Sequence, residues 1–101
     1  MATHNHPRHD LDDLLTNPIR LSVVAGLVGV EQAEFALVRD AVEITDAALS
    51  KQVAILEQAG YLSVHKGRVG RRPRTWLELT DAGREAYATH LRALRAIAGD
   101  P

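Results

Sequence analysis

The segment Lys66-Gly67-Arg68-Val69-Gly70-Arg71-Arg72-Pro73-Arg74 places five cationic side chains within nine residues. It is bounded by Leu62-Ser63-Val64-His65 and Thr75-Trp76-Leu77-Glu78-Leu79, two short runs that read as strands. Gly67, Gly70 and Pro73 interrupt regular structure, so the expected form is a β-hairpin with its arginines displayed at the tip. Elsewhere the chain reads as helices, which leaves the hairpin as one β appendage on an α-helical body. A guanidinium pairs with a phosphate through two parallel N–H donors, so such a tip suits a polyanion, and nucleic acid is the expected one.

At 101 residues the chain can close one domain around one modest core. Its formal net charge of −1 argues against nucleic acid, but the distribution argues for it. Residues 1–60 hold four basic side chains (Arg8, Arg20, Arg39, Lys51) and nine acidic ones, a balance of −5. Residues 61–101 hold eight basic and four acidic, a balance of +4. Local potential, more than the sum, governs docking onto phosphates. The lack of cysteine excludes disulfides, thiolate zinc sites and cysteine redox sensing. No apolar run approaches the roughly 20 residues needed to span a bilayer. Met1-Ala2-Thr3-His4-Asn5-His6 lacks the layout of a signal peptide, so a soluble cytoplasmic protein is expected. No nucleophile–base pair, glycine-rich phosphate loop or metal-ligand spacing stands out, and no enzymatic activity, cofactor or metal is assigned.

Residues 1–9 are polar and read as a disordered tail, with the domain at 10–101. Leu11, Leu14 and Leu15 mark a first helical segment from about Asp10 to Leu15. Asn17-Pro18 is a helix start, since Asn caps free N–H groups and Pro is tolerated at the first helical position. Ile19 to Val28 reads as the most buried helix. Gly29 to Ala33 is a connector, and Glu34 to Val42 a short amphipathic helix. Thr45 caps the next helix, about Asp46 to Ala59, with Leu49, Val53 and Leu56 on its core face and Gly60 as its left-handed stop. After the hairpin at about 62–79, Thr80-Asp81 caps a last helix over about 81–98. This order is that of a winged helix-turn-helix: mainly α, with a small antiparallel β-hairpin and with N- and C-terminal dimerisation helices.

In that layout the helix from Asp46 is the recognition helix, and Ala47, Ser50, Lys51 and Ala54 face away from the core. Small residues there let the backbone approach the major-groove floor. Ser50 can bond a phosphate or a base edge, Lys51 a phosphate or guanine, and Gln52 an adenine if it tilts outward. Asp46 suits the helix dipole but faces phosphates poorly; it either accepts from cytosine or simply caps. Taken alone, Ser50 and Lys51 read more readily as an ordinary solvated face. The hairpin is more specific, with Arg68, Arg71 and Arg72 aimed at phosphates or the minor groove. Lys66 and Arg74 lie at the strand ends and can instead pair with Glu78.

Ser50, Val53, Leu56, Glu57, Gly60 and Tyr61 resemble the S-x-x-L-x-x-L-E-x-x-G-hydrophobic signature of MarR-like and ArsR-like winged-helix repressors, with Val at position 53. Arg72-Pro73-Arg74 through Leu79-Thr80-Asp81-Ala82-Gly83-Arg84 is similar to their R-P-R-x-x-x-x-L-T-x-x-G-R hallmark. Asn17-Pro18-Ile19-Arg20-Leu21 is similar to their N-P-x-R-x-x-I start. The resemblance implies a repressor that binds a pseudo-palindromic operator as a homodimer. It sets Thr45, Asp46, Ala47, Ser50, Lys51 and Gln52 in the major groove, flanked by the wing. The ArsR metal ligands are cysteines, so metal sensing by that route does not carry over.

Tyr87, Leu91, Leu94 and Ala98 recur at i, i+4, i+7 and i+11, an apolar seam of heptad character that Ala86, Ala93 and Ile97 widen. The seam is expected to pair with its symmetry mate beside Leu11, Leu14 and Leu15; the alternative is packing on its own domain alone. His4, His6 and His9 invite metal or pH sensing, though terminal tails of this kind are more often disordered. A small-molecule effector, if there is one, would sit between the core and the dimer helices. The expected function is sequence-specific DNA-binding regulation of transcription. A winged-helix protein-interaction module is the alternative, separable by the salt dependence of duplex binding.

Overall fold

In the computed structural model, which describes residues 5–99, three local caps start three of the helices. Asn17 Oδ1 accepts from the N–H of Ile19 at 2.9 Å and of Arg20 at 3.0 Å, opening α1 (Pro18–Val28). Thr45 Oγ1 accepts from Ala48 N–H at 3.1 Å and opens α3 (Asp46–Gln58). Thr80 Oγ1 accepts from Gly83 N–H at 3.0 Å and opens α4 (Asp81–Ile97). Between α1 and α3 lie β1 (Ala33–Glu34) and α2 (Phe35–Val42); β2 (Leu62–Val69) and β3 (Arg72–Leu79) form the hairpin. Gly60, at φ 81°, ends α3 in the left-handed region that favours glycine.

The strands form an antiparallel sheet in the order β1-β3-β2, and with the four helices this is a winged helix. β1 reads as connector in the sequence, because two residues are too few to show an alternating pattern. It forms by pairing Ala33 with Leu77 and Glu34 with Trp76. The hairpin strands run further than their apolar ends suggest: Lys66–Val69 and Arg72–Arg74 are paired strand, and only Gly70-Arg71 turns. Gly70 alone of that pair has positive φ, at 63°, the pattern of a two-residue II′ turn. Gly67 does not break its strand. It makes room for the Trp76 indole, whose Cζ3 would lie 3.0 Å from a Cβ placed there.

The core joins Val23, Val24 and Leu27 of α1, Leu49 and Leu56 of α3, and Leu62, Leu77 and Leu79 of the sheet. It also takes in Leu15, which is 0% exposed. That overturns the placing of Leu15 at a dimer interface, since it lies wholly inside its own domain. The N-terminal segment differs from the sequence reading as well. Pro7–Asp10 is a 3-10 turn packed on α4, so residues 5–9 are not a disordered tail; His4 lies outside the described residues. Leu11 to Thr16 is extended chain and turns, not helix, because Asp12 Oδ1 accepts from Leu14 N–H at 2.9 Å and closes an Asx turn in competition with helix. No helix among the described residues is long and apolar enough to cross a membrane.

Candidate nucleic-acid interface

The turn into α3 is held by charge. α2 ends at Glu43, a non-glycine residue in the left-handed region at φ 61°, whose N–H donates to the Asp40 carbonyl at 3.2 Å. Arg39 Nε donates to Asp40 Oδ1 and Arg39 Nη1 to Asp46 Oδ1, both at 2.8 Å. Those hydrogen bonds, to Asp40 first and Asp46 second, hold the Arg39 guanidinium above its ordinary pKa. The same contact holds the Asp40 carboxyl below the usual carboxylate range. Past this turn Thr45, Asp46, Ala47, Ser50 and Lys51 are all exposed, on the side of α3 opposite Leu49, Val53 and Leu56.

Strand alternation sorts the wing cations. Lys66 and Arg68 share a face with Leu62 and Val64, the core-facing residues of β2; Arg72 falls on the opposite face with His65 and Trp76. Lys66, Arg68, Arg71 and Arg72 are exposed. A groove of about 610 Å³ runs between the wing and α3, lined by Arg39 and Asp46 at one end, by Ser50, Ala54 and Glu57 along the helix, and by Lys66, Arg74 and Thr75 from the wing. α3 and the wing thus face one shared groove, and their outer faces are not buried against the rest of the chain.

Two expected contacts are tied up within the chain. Gln52 is half-buried and its Oε1 accepts from Arg20 Nη1 at 2.9 Å, so it does not tilt outward as a two-point adenine reader. Arg74 pairs with Glu34, not Glu78: its buried Nε lies 3.3 Å from Glu34 Oε1, an ion pair without the alignment of a hydrogen bond. Glu78 is engaged by His65 Nε2 at 2.7 Å. Neither partner is near in sequence, and only the fold brings them together. Arg39 and Glu57 also line the groove, and no local pattern in the sequence marks them for it. The acid at 46 seven positions after the base at 39 comes nearest to a signal, and it means little without knowing that α2 and α3 meet at a tight turn.

Several hallmark residues act inside the fold. Arg20 Nε donates to the Leu14 carbonyl at 2.6 Å, so the same guanidinium spans the N-terminal segment and α3. Arg84 donates to the Val28 carbonyl at 2.6 Å and the Val30 carbonyl at 3.1 Å, fastening α4 to the end of α1. His90, 1% exposed, accepts the Asp12 N–H on Nδ1 at 2.9 Å. Of the apolar seam on α4, Tyr87 packs on the core, Leu91 and Leu94 are half-buried, and Ala98 is exposed just past the helix. Leu11 and Leu14 are half-buried. Among the described residues no group of three His, Cys, Asp or Glu side chains is arranged to hold a metal.

A winged helix whose α3 is exposed on one face beside a cationic wing is the layout of a DNA-binding class of protein. Residues 19–98 match the winged helix DNA-binding domain family, and the chain belongs to it. The solved structure of a transcriptional regulator homologue from Pyrococcus horikoshii OT3 is 28% identical, superposes with a TM-score of 0.83, and is covered over 92% of its length by 91% of this chain. YusO from Bacillus subtilis, 21% identical, shares the fold with a TM-score of 0.78 over 93% of this chain and 66% of its own. The uncharacterized protein MJ0432 of Methanocaldococcus jannaschii is 26% identical over 78 residues, 77% of this chain and 85% of that one. In fold and in family, then, the chain is a winged-helix DNA-binding domain.

Proposed function

We propose that the protein is a repressor that binds a pseudo-palindromic operator as a homodimer. One α3 enters the major groove of each half-site and the two wings flank it. The observation that carries this reading is the open groove shared by the exposed face of α3 and the cation-bearing hairpin. Ser50 and Lys51 read or anchor the major groove; Thr45 and Ala47 let the helix start approach it; Lys66, Arg68, Arg71 and Arg72 neutralise phosphates. Arg74 is held by Glu34 and braces the base of the wing.

The test is the salt dependence of duplex binding, measured by fluorescence anisotropy. Each neutralised phosphate steepens the fall of log K with log salt by about 0.9. Replacing Arg71 and Arg72 with Glu is expected to weaken binding on every duplex and to reduce the slope by roughly two. Substitution at Ser50 or Lys51 also changes which operator is preferred. A flat salt response, or an unchanged affinity after the paired reversal, would count against the assignment.

A further inference from the structure

Asp46 stands where a carboxylate is least welcome on a surface that meets DNA, and Arg39 holds it there. The Arg39 guanidinium is fixed from two sides, by Asp40 Oδ1 on Nε and by Asp46 Oδ1 on Nη1, each at 2.8 Å. Two of its donor nitrogens, Nε and Nη1, are thereby engaged at the α2–α3 turn. The Asp46 side chain is nonetheless 70% exposed, and it lines the same groove as Ser50, one helical turn on, and Lys66 of the wing.

The chemistry of the major groove narrows what such a carboxylate can meet. Phosphate oxygens are acceptors, as are guanine N7 and O6, adenine N7 and thymine O4. A carboxylate finds a donor only in the amino groups of cytosine and adenine. Adenine sets its N7 acceptor beside that amino group, facing the second carboxylate oxygen with a repulsive neighbour; cytosine sets a C–H there. A bare carboxylate would also be pushed away by the flanking phosphates, and the Arg39 charge, shared with Asp40, offsets part of that repulsion.

We propose that Arg39 is a positioning residue that presents Asp46 as the acceptor for a cytosine amino group, so that the Arg39–Asp46 pair fixes one base of the operator half-site. This rests on the DNA-binding reading above and adds to it a particular base edge.

The test selects bound duplexes from a randomised pool with four proteins: the natural chain, Asp46→Asn, Arg39→Ala and Arg39→Lys. Anisotropy on the best duplex and on its cytosine-replaced partner follows, with circular dichroism on each protein as a check of fold. The natural chain is expected to favour cytosine about tenfold at one position per half-site, the scale of a single mismatched base pair. Asp46→Asn erases that preference while keeping or raising affinity for the replaced duplex. Arg39→Ala loses most of it. Arg39→Lys restores overall affinity but not the preference, since an ammonium cannot hold both carboxylates as a planar fork does. Cytosine selection that survives Asp46→Asn, or an Arg39→Ala protein weakened equally on all duplexes, would overturn the proposal while leaving the DNA-binding reading intact. A natural chain that binds no duplex removes both.

Discussion

A methyl group at Gly83 would lie 2.2 Å from the Tyr61 carbonyl oxygen and 2.8 Å from Leu79 Cδ1. The first of these is backbone and cannot rotate away, so Gly83→Ala forces α4 off the sheet. Overpacking of this kind costs about 2 kcal/mol. Thermal unfolding should show a melting temperature lower by roughly 10 °C. Tyr61 makes a second residue-scale test. Its hydroxyl donates to Asp12 Oδ2 at 2.5 Å, and that hydrogen bond, aided by burial, pushes the phenol from 10.0 up to about 12. Because the folded phenol is harder to ionise than the unfolded one, its stabilisation is complete below pH 10.0 and is lost as pH rises toward about 12. Tyr61→Phe should therefore show a flatter loss of stability across that window in urea denaturation. It should also be less stable at neutral pH by about 1.5 kcal/mol, the scale of a hydrogen bond to a charged group.

At the scale of elements, what could be read from the sequence followed the range of the interaction that forms each piece. α1, α3 and α4 were legible to within a residue or two because Asn17, Thr45 and Thr80 cap them locally. The exposed face of α3 and the cationic wing were legible for the same reason, as periodicity and composition are local. β1 was not, since it exists only through its pairing with β3. Nor were the engagements of Gln52 by Arg20 and of Arg74 by Glu34, which join distant parts of the chain. The turn between α2 and α3 offers a test at this scale. Glu43 occupies the left-handed region, a conformation costing an L-residue roughly 1 kcal/mol. Glu43→Gly removes that cost but gives back part of it as unfolded-chain entropy. The expected net gain is about 0.5 kcal/mol, seen as a melting temperature raised by roughly 2–4 °C.

As a whole molecule the chain is long and narrow, 61 × 23 × 22 Å, with a radius of gyration of 15.4 Å where a compact chain of this size has about 13 Å. An elongated body covers less of its own apolar surface. Near the end of α4, Leu94 is half-buried and Ile97 is 44% exposed. In the proposed homodimer this stretch is covered by the partner. The double variant Leu94→Glu with Ile97→Glu should sediment at the 11.0 kDa chain mass where the natural protein sediments at twice that value. It should also bind a two-half-site duplex at least about tenfold more weakly, because linkage between the half-sites is lost. The segment before α1 bears on how the protein can be trimmed. The family match starts at residue 19, yet Leu15 is sealed in the hydrophobic interior, and Asp12 and Leu14 tie it to His90, Tyr61 and Arg20. A fragment cut at the homology boundary would be missing its own plug, leaving a leucine-sized hole in the core and depriving Arg20, which steadies Gln52, of the Leu14 carbonyl.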